Sequence, residues 1–197
     1  MTEELFFDNQ HVLENNRVRL TPLSLDDLPV LEPIAFHPEI WRLGSNVLQE
    51  RAHLEAYVKT ALAEKQKKVS YPFLIFDKQS NKVAGCTRYG NISFPNKRLE
   101  IGWTWLHPEF HGSGLNKACK FSLLRFAFED LGFNRVEIKT DVLNLQSRKA
   151  IIKIGGKEEG IFRKHQVVAD GRIRDTIYFS IINEEWSEIR SRIFADF

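Results

Sequence analysis

The stretch His107-Pro-Glu-Phe-His-Gly-Ser-Gly-Leu-Asn-Lys117 lies between a strand-like run, Leu99 to Leu106, and a helix-like run, Asn116 to Leu131. Two glycines that stand two residues apart before a helix present several backbone N–H groups in one direction. With the positive end of the helix dipole and the charge of Lys117, these groups form a seat for an anion, most often a phosphate. The alternative is a plain strand-to-helix turn with left-handed glycines, and the loop alone does not decide between the two.

The bulk composition is that of one globular domain over residues 1–197, since 43% hydrophobic and 27% charged residues are ordinary values. A net charge of +2 does not indicate a nucleic-acid-binding surface, which needs a strong basic stripe. Cys86 and Cys119 have neither a CxxC spacing nor a histidine at ligand spacing, so we expect no disulfide, no metal site and a reducing, cytoplasmic environment. We also expect no signal peptide, because the first residues, MTEELFFDNQ, are acidic and lack an apolar h-region. No apolar run approaches the ~20 residues of a membrane span, so we expect none.

The hydrophobic pattern predicts alternating strands and helices after an N-terminal arm, residues 1–16, that packs through Leu5, Phe6 and Phe7. Strands are predicted at Arg17 to Leu23, Tyr71 to Phe76, Lys82 to Ile92, Leu99 to Leu106, Arg135 to Thr140, Gly156 to Val168 and Arg172 to Ile182. A helix capped by Ser24 is predicted to end at the interruption His37-Pro38, and a short helix from Pro38 to end near Gly44. Further helices are predicted at Gln49 to Lys68, Asn116 to Leu131 and Asn144 to Ile154, and after Asn183, the expected cap of a terminal helix. This order predicts an α/β (α+β) fold with a central mixed, mostly antiparallel sheet and helices on both faces.

Several short motifs then follow one another in a fixed order. They are Glu100-Ile-Gly-Trp103, Phe110-His-Gly-Ser-Gly114, Asn144-x-x-Ser147-Arg148-Lys149, Glu159-Gly160-x-x-Arg163 and Asp170-Gly-Arg-x-x-Asp175. From about Arg17 to Trp186 the chain resembles the GCN5-related N-acetyltransferase (GNAT) superfamily, and within it the RimJ/RimL type that acetylates protein N-termini. One departure is clear: the superfamily loop reads Q/R-x-x-G-x-G/A, whereas here His111 and Asn116 stand at the first and last of these positions.

The resemblance implies that the sheet splays between the fourth and fifth predicted strands and that acetyl-CoA lies in the gap, with no metal involved. The residues it assigns to acetyl-CoA form three groups. The strand edge Thr104, Trp105, Leu106 and His107 would pair with the pantetheine arm; His111, Gly112, Ser113, Gly114, Leu115, Asn116 and Lys117 would hold the pyrophosphate; and Asn144 and Ser147 would lie beside the arm and the thioester.

The implied reaction is direct attack of a neutral amine on the thioester carbonyl, with backbone N–H groups of the splayed strand stabilising the oxyanion. Glu100 is the candidate general base, directly or through a water, because we expect a lone, buried carboxylate that readily accepts a proton. The alternative is a solvent-facing glutamate, since alternation does not show which face is wet. Ser147 is the candidate donor to the leaving thiolate, although Asn144 as a helix cap with Ser147 in the first turn is a complete local explanation. Cys119 is more consistent with a core position than with a nucleophile.

The resemblance leaves the acceptor open between a protein N-terminal α-amine and a small amine such as a polyamine, an amino acid or an aminoglycoside. The segment Ser24 to Lys68 would build this site. The expected partners are acetyl-CoA and the amine, with no nucleic acid and no membrane, and the chain would be a monomer or a homodimer. A non-catalytic CoA-binding module is the second class. A nucleotide-binding protein of another fold is the third, but the loop lacks both the P-loop Lys-Ser/Thr and a GxGxxG with a trailing acid.

Overall fold

A single eight-stranded sheet organises the protein, whose computed structural model describes residues 1–44 and 46–197. Its strands are β1 (Leu13–Glu14), β2 (Val18–Pro22), β3 (Tyr71–Asp77), β4 (Lys82–Ser93), β5 (Arg98–Leu106), β6 (Arg135–Asp141), β7 (Lys157–Val167) and β8 (Ile173–Ile182). The order across the sheet is β1-β2-β3-β4-β5-β6-β8-β7, and every pairing is antiparallel except that of β5 with β6. Ser45, inside the segment predicted to build the acceptor site, lies outside the described residues.

Helices cover both faces of the sheet. They are α1 (Glu3–Asp8), α2 (Leu28–Ala35), α3 (Pro38–Trp41), α4 (Arg51–Gln66), α5 (Leu115–Arg125), α6 (Leu145–Lys153) and α7 (Asn183–Ile193), and a π-helical segment, Phe126–Asp130, prolongs α5. On the first face, α1, α5, α6 and α7 pack over a core that includes Phe73, Ile101 and Phe121. On the second face, α2, α3 and α4 cover a smaller core around Leu54 and Trp105. The predicted α/β fold with helices on both faces is confirmed.

Two local predictions are wrong at the ends of the chain. Phe6 and Phe7 are buried as expected, but the side chain of Leu5 is 54% exposed, because α1 turns only one side to the core. Asn183 does not cap the terminal helix: it is the first helical residue, and the cap position is Ile182. The Glu185 carboxylate accepts a hydrogen bond from the Ile182 N–H at 3.2 Å and so takes over the capping role.

The parallel strands β5 and β6 stay together for only three residues, Arg98 to Glu100 against Arg135 to Glu137. Beyond them, β5 gains one extra residue relative to β4, between the pairs Arg88–Gly102 and Cys86–Trp105. Trp103 takes up this extra residue in a left-handed conformation, with φ of 49°, which is a β-bulge. The sheet therefore opens after Glu100, and the predicted splay is confirmed between β5 and β6.

Candidate active site

Glu100 stands at the point where the two strands part, and only 2% of its surface is exposed. One oxygen, Oε2, accepts hydrogen bonds from Asn91 Nδ2 at 2.7 Å and from the Lys139 ammonium at 2.9 Å. The other oxygen, Oε1, lies over Gly102, where a Cβ would approach it to 2.8 Å. The prediction of a buried carboxylate is confirmed, but the prediction of a lone one is wrong, because Lys139 supplies a counter-charge from β6.

The surroundings of this carboxylate are aromatic and cationic. The Lys139 ammonium lies 5.9 Å from the ring centroid of Trp103 and 5.7 Å from that of Tyr178. The Arg88 guanidinium lies 5.0 Å from the rings of both Tyr57 and Trp103. Cations held over aromatic faces at these distances are attracted by the ring quadrupoles, so the indole of Trp103 is fixed from two sides above the opening of the sheet.

The edge of β5 offers fewer free backbone groups than the sequence predicts. The N–H of His107 donates to the Ala84 carbonyl, and its own carbonyl accepts from the Phe110 N–H, both at 2.9 Å. The carbonyl of Trp105 lies against Gly85 of β4. The prediction that the backbone of His107 and Trp105 pairs with the arm is therefore wrong. Since strand backbones alternate in direction, Thr104 and Leu106 are the residues whose backbone faces the gap.

The glycine loop has the geometry of an anion seat. Gly112 and Gly114 have φ of 73° and 86°, and a Cβ on either would meet no atom within 4 Å. Gly114 is the cap of α5. In the part of the chain that the structure describes, the N–H groups of Asn116 and Lys117 donate to no acceptor, whereas that of Leu115 bonds to the Ser113 hydroxyl at 3.3 Å. Free N–H groups at an open helix N-terminus fit the diphosphate of a nucleotide.

The side chains of this loop are mostly occupied elsewhere. Nε2 of His111 lies 3.2 Å from the Leu106 carbonyl oxygen and so ties the loop to the end of β5. The Ser113 hydroxyl donates to the Phe110 carbonyl at 2.8 Å. The Lys117 ammonium lies over the rings of Phe194 and Phe197. These contacts favour a seat made by the backbone, in which the departures at His111 and Asn116 leave the essential donors in place.

Asn144 and Ser147 begin α6 on the far side of the gap. Asn144 Oδ1 accepts the Ser147 N–H at 3.0 Å, which is the N-cap bond expected from the sequence. The Ser147 hydroxyl is half-buried and has no hydrogen-bond partner among residues 1–44 and 46–197. The cap explains Asn144 fully, whereas the free hydroxyl of Ser147 is available to a ligand.

Lys120 is a polar residue of this region that sequence reasoning missed. It lies on α5 with 6% of its surface exposed, and its ammonium donates to the Thr104 hydroxyl at 2.7 Å. Burial lowers the pKa of Lys120. A lysine placed between the apolar residues Cys119 and Phe121 was the available signal.

Comparison with known proteins identifies the family. Residues 17–157 match the model of the acetyltransferase (GNAT) domain. The chain belongs to the GNAT family. Among curated relatives of this GNAT enzyme is a Bacillus subtilis protein named "Putative ribosomal N-acetyltransferase YdaF", which is 35% identical over 113 residues. The matched residues span 57% of this chain and 59% of YdaF, so the match covers less than two thirds of the length of YdaF. The N-acetyltransferase p20 of Bacillus licheniformis is 26% identical over 89% of this chain and 98% of p20.

A solved GCN5-related N-acetyltransferase from Brucella melitensis superposes on this GNAT enzyme with a TM-score of 0.87. It is 28% identical, and the superposition covers 95% of this chain and 85% of that one. The family uses acetyl-CoA as its co-substrate, and this enzyme is an acyltransferase.

Two features of this GNAT enzyme bear on ligands outside the gap. A cleft of about 260 Å³ opens on the side of α2 and α3, between them and the β7–β8 turn. It is lined by Phe36, Pro38, Trp41, Arg42, Gly44, Val47, Leu48, Gln49, Val168, Ala169, Asp170 and Arg172. Within the described residues, no three His, Cys, Asp or Glu side chains cluster as metal ligands, and no described helix is both long and apolar enough to cross a membrane.

Proposed function

We propose that this enzyme transfers the acetyl group of acetyl-CoA to the α-amine of a protein N-terminus by direct attack. The observation that carries the proposal is the buried Glu100 carboxylate at the point where β5 and β6 part. A general base must stand beside the reacting amine and be able to take its proton. The position of this carboxylate at the opening of the sheet, where Lys139 and Asn91 hold it, supports that role.

The donor site follows from the geometry of β5 and the loop. The N–H groups of Asn116 and Lys117, with the left-handed glycines before them, would bind the diphosphate. The backbone of Thr104 and the N–H of Leu106, whose carbonyl already contacts His111, would pair with the pantetheine arm as a strand edge. Bound in this way, the arm would direct the thioester toward Glu100, which lies nearer the N-terminal end of the same strand.

The chemistry of transfer needs one new C–N bond and the loss of the C–S bond. Glu100 accepts the proton that the amine loses on attack, directly or through a water. Backbone N–H groups of the splayed strand β5 would stabilise the negative charge developing on the carbonyl oxygen. Ser147 donates a hydrogen bond to the leaving thiolate, or gives it a proton and regains one from solvent, a role that its unpartnered hydroxyl permits.

The acceptor class rests on a relative and on the cleft beside α3. YdaF is named for ribosomal N-acetyltransferase activity, which favours a protein N-terminus over a small amine. The cleft mixes aromatic side chains, Phe36 and Trp41, with charges at Arg42, Asp170 and Arg172. Apolar walls with a few charged groups suit a ligand-binding pocket, so the cleft is where we place the acceptor, and the choice of a protein N-terminus rests on YdaF.

Two measurements test the proposal. Thermal shift with acetyl-CoA and with ATP identifies the donor class: we expect stabilisation by acetyl-CoA, and stabilisation by ATP alone would overturn the assignment. Release of free CoA thiol is then followed with peptides bearing free or formylated N-termini, and with a polyamine and an aminoglycoside. We expect thiol release only with free-amine peptides. Release only with the small amines would move the activity to that class, and release with none would favour a non-catalytic CoA-binding module.

A further inference from the structure

The Lys120 ammonium is an incompletely satisfied charge beside β5, the strand that borders the gap. Its residue is 94% buried in terms of surface, and its one hydrogen-bond partner in the described structure is the Thr104 hydroxyl, 2.7 Å away. No carboxylate of the described chain lies within ion-pair distance of it. Because a buried cation without a counter-charge is costly, such a group is retained only where something else compensates it.

The direction of the hydrogen bonds shows how much donor capacity remains. An ammonium has three N–H groups and cannot accept, so the Thr104 hydroxyl accepts from Lys120. The Thr104 hydroxyl then donates its own hydrogen bond, and the Thr87 hydroxyl, 2.7 Å away, is the nearest acceptor. Lys120 is left with two N–H groups that have no acceptor within the described residues.

The position of this ammonium along the gap is fixed by the two elements that carry it. Thr104 is four residues beyond Glu100 on β5, which is roughly 13 Å at the usual rise of a strand. Lys120 is six residues beyond Gly114 on α5, roughly 9 Å along the helix axis. Lys120 therefore lies between the anion seat and the catalytic carboxylate, beside the middle of any ligand that joins them.

We propose that Lys120 binds an amide carbonyl oxygen of the pantetheine arm of acetyl-CoA. The inference rests on the proposed function, which places that arm in the gap between β5 and β6. Amide carbonyls are the hydrogen-bond acceptors in the middle of the arm, and a hydrogen bond from an ammonium to a carbonyl is stronger than one between neutral groups. Lys120 is thus a binding residue for the arm, and Thr104 positions its ammonium.

Isothermal titration of Lys120→Met tests this directly. CoA and acetyl-CoA should bind about ten- to a hundredfold more weakly, the cost of one charge-assisted hydrogen bond. 3′-Phospho-ADP, which is CoA without its pantetheine arm, should bind to K120M with an affinity within about twofold of that for the wild type, because the substitution leaves the anion seat unchanged. Lys67→Met, on an exposed lysine at the end of α4, is the matched control and should change neither affinity.

Four results decide against the inference. CoA affinity equal to that of the wild type would remove Lys120 from the arm. Equal weakening of the fragment and of CoA would assign it a structural role in the seat. A fall in kcat with unchanged CoA affinity would place Lys120 beside the acyl group instead of the arm. The same conclusion would follow if the wild type, but not K120M, bound succinyl-CoA more tightly than acetyl-CoA. Should K120M fail to fold by circular dichroism, K120Q decides by the same titrations. A wild type that binds no acetyl-CoA contradicts the proposed function itself.

Discussion

The Lys139 ammonium lies 2.9 Å from Oε2 of Glu100, and this ion pair crosses the opening between two diverging strands. Glu100 is the last residue of β5 that pairs with β6, and Lys139 is two residues beyond its partner Glu137. The side chain of Glu100 is 3% exposed and that of Lys139 is 19% exposed. The Lys139 ammonium and the Asn91 amide hold one oxygen of this buried carboxylate in place, so that the other oxygen, Oε1, has no such partner and is oriented for proton transfer.

Replacement of this carboxylate should abolish most of the activity. In Glu100→Gln, kcat should fall by about a hundredfold or more, because general base catalysis contributes roughly 10²–10⁴-fold. The dissociation constant of acetyl-CoA should stay the same, since no proposed contact with the cofactor involves Glu100. Steady-state kinetics with a free-amine peptide, together with calorimetric titration of acetyl-CoA, measure both quantities.

The matched control is Glu137→Gln, because Glu137 is the register partner of Glu100 on β6. Its carboxylate pairs with Arg135 at 3.0 Å and with Arg98 at 3.6 Å instead of facing the open strand edge. We expect its kcat within about threefold of the wild type. Equal losses in the two variants, or near-normal turnover by E100Q, would remove Glu100 from the mechanism.

The hydroxyl of Ser147 should matter for turnover and little for binding. Ser147→Ala keeps the backbone N–H that bonds to Asn144, so α6 should still begin at the same residue. If Ser147 assists departure of the thiolate, kcat should fall by about tenfold or more. Ser187→Ala, on the exposed side of α7, is the comparison. Unchanged kcat in S147A would mean that solvent protonates the thiolate.

Two glycine variants separate the effect of backbone strain on stability from the effect of the anion seat on acetyl-CoA binding. Gly114→Ala places a side chain at φ of 86°, which costs roughly 1–2 kcal/mol for an L-residue. Gly171→Ala, in the β7–β8 turn at φ of 82°, carries the same strain and likewise has no atom within 4 Å of the added Cβ. Both variants should lose similar stability, but only G114A should bind acetyl-CoA about tenfold more weakly. If G114A and G171A bound acetyl-CoA with equal affinity, the glycine loop would not be the site that holds the cofactor.

The pair between Arg135 and Glu159 gives the stability of the sheet a dependence on acid pH. Hydrogen bonds from Arg135 lower the pKa of Glu159 from 4.5 to about 2. A carboxylate whose pKa is lower in the folded than in the unfolded protein stabilises the fold at pH values above its unfolded pKa. This stabilisation is lost as the pH falls from about 4.5 to about 2. Because the side chain is 41% exposed, solvent limits the effect to under about 1 kcal/mol, or about 2–4 °C in Tm.

Thermal melts at pH 7 and pH 3 measure this contribution. Glu159→Gln should lower Tm at pH 7 and should lose less than the wild type on acidification. Its exposed neighbour variant, Glu158→Gln, should follow the wild type at both pH values. If the Tm of the wild type and of E159Q fell by the same amount between pH 7 and pH 3, Glu159 would not be the source of this pH dependence.

The sheet and its opening were predictable from the sequence because they depend on local patterns. The alternation of Glu100 and Gly102 with Ile101 defined β5, and the glycine loop with the apolar helix behind it defined the crossover to β6. The strand β1, only Leu13–Glu14, was missed. Two residues are too few to show a period, and they form a strand only because β2 offers them an edge.

The partners within the site could not be read from the sequence in the same way. Lys139 and Asn91 meet Glu100 from different strands, and their distance depends on the register of β4, β5 and β6. The extra residue at Trp103 sets that register and reverses which backbone groups of Trp105 and His107 face the gap. Such shifts depend on tertiary packing rather than on local pattern. Lys120 differs, since a lysine between the apolar residues Cys119 and Phe121 of α5 is visible in the sequence alone.

The most direct test of the central claim is tandem mass spectrometry of a peptide incubated with the enzyme and acetyl-CoA. The peptide carries a free α-amine and an internal lysine, so that the fragment ions locate the acetyl group. The account predicts acetylation of the α-amine by the wild type and by E137Q, and its near-complete loss with E100Q. Acetylation by E100Q at the wild-type rate, or no acetylated amine on any peptide under conditions in which acetyl-CoA binds, would contradict it.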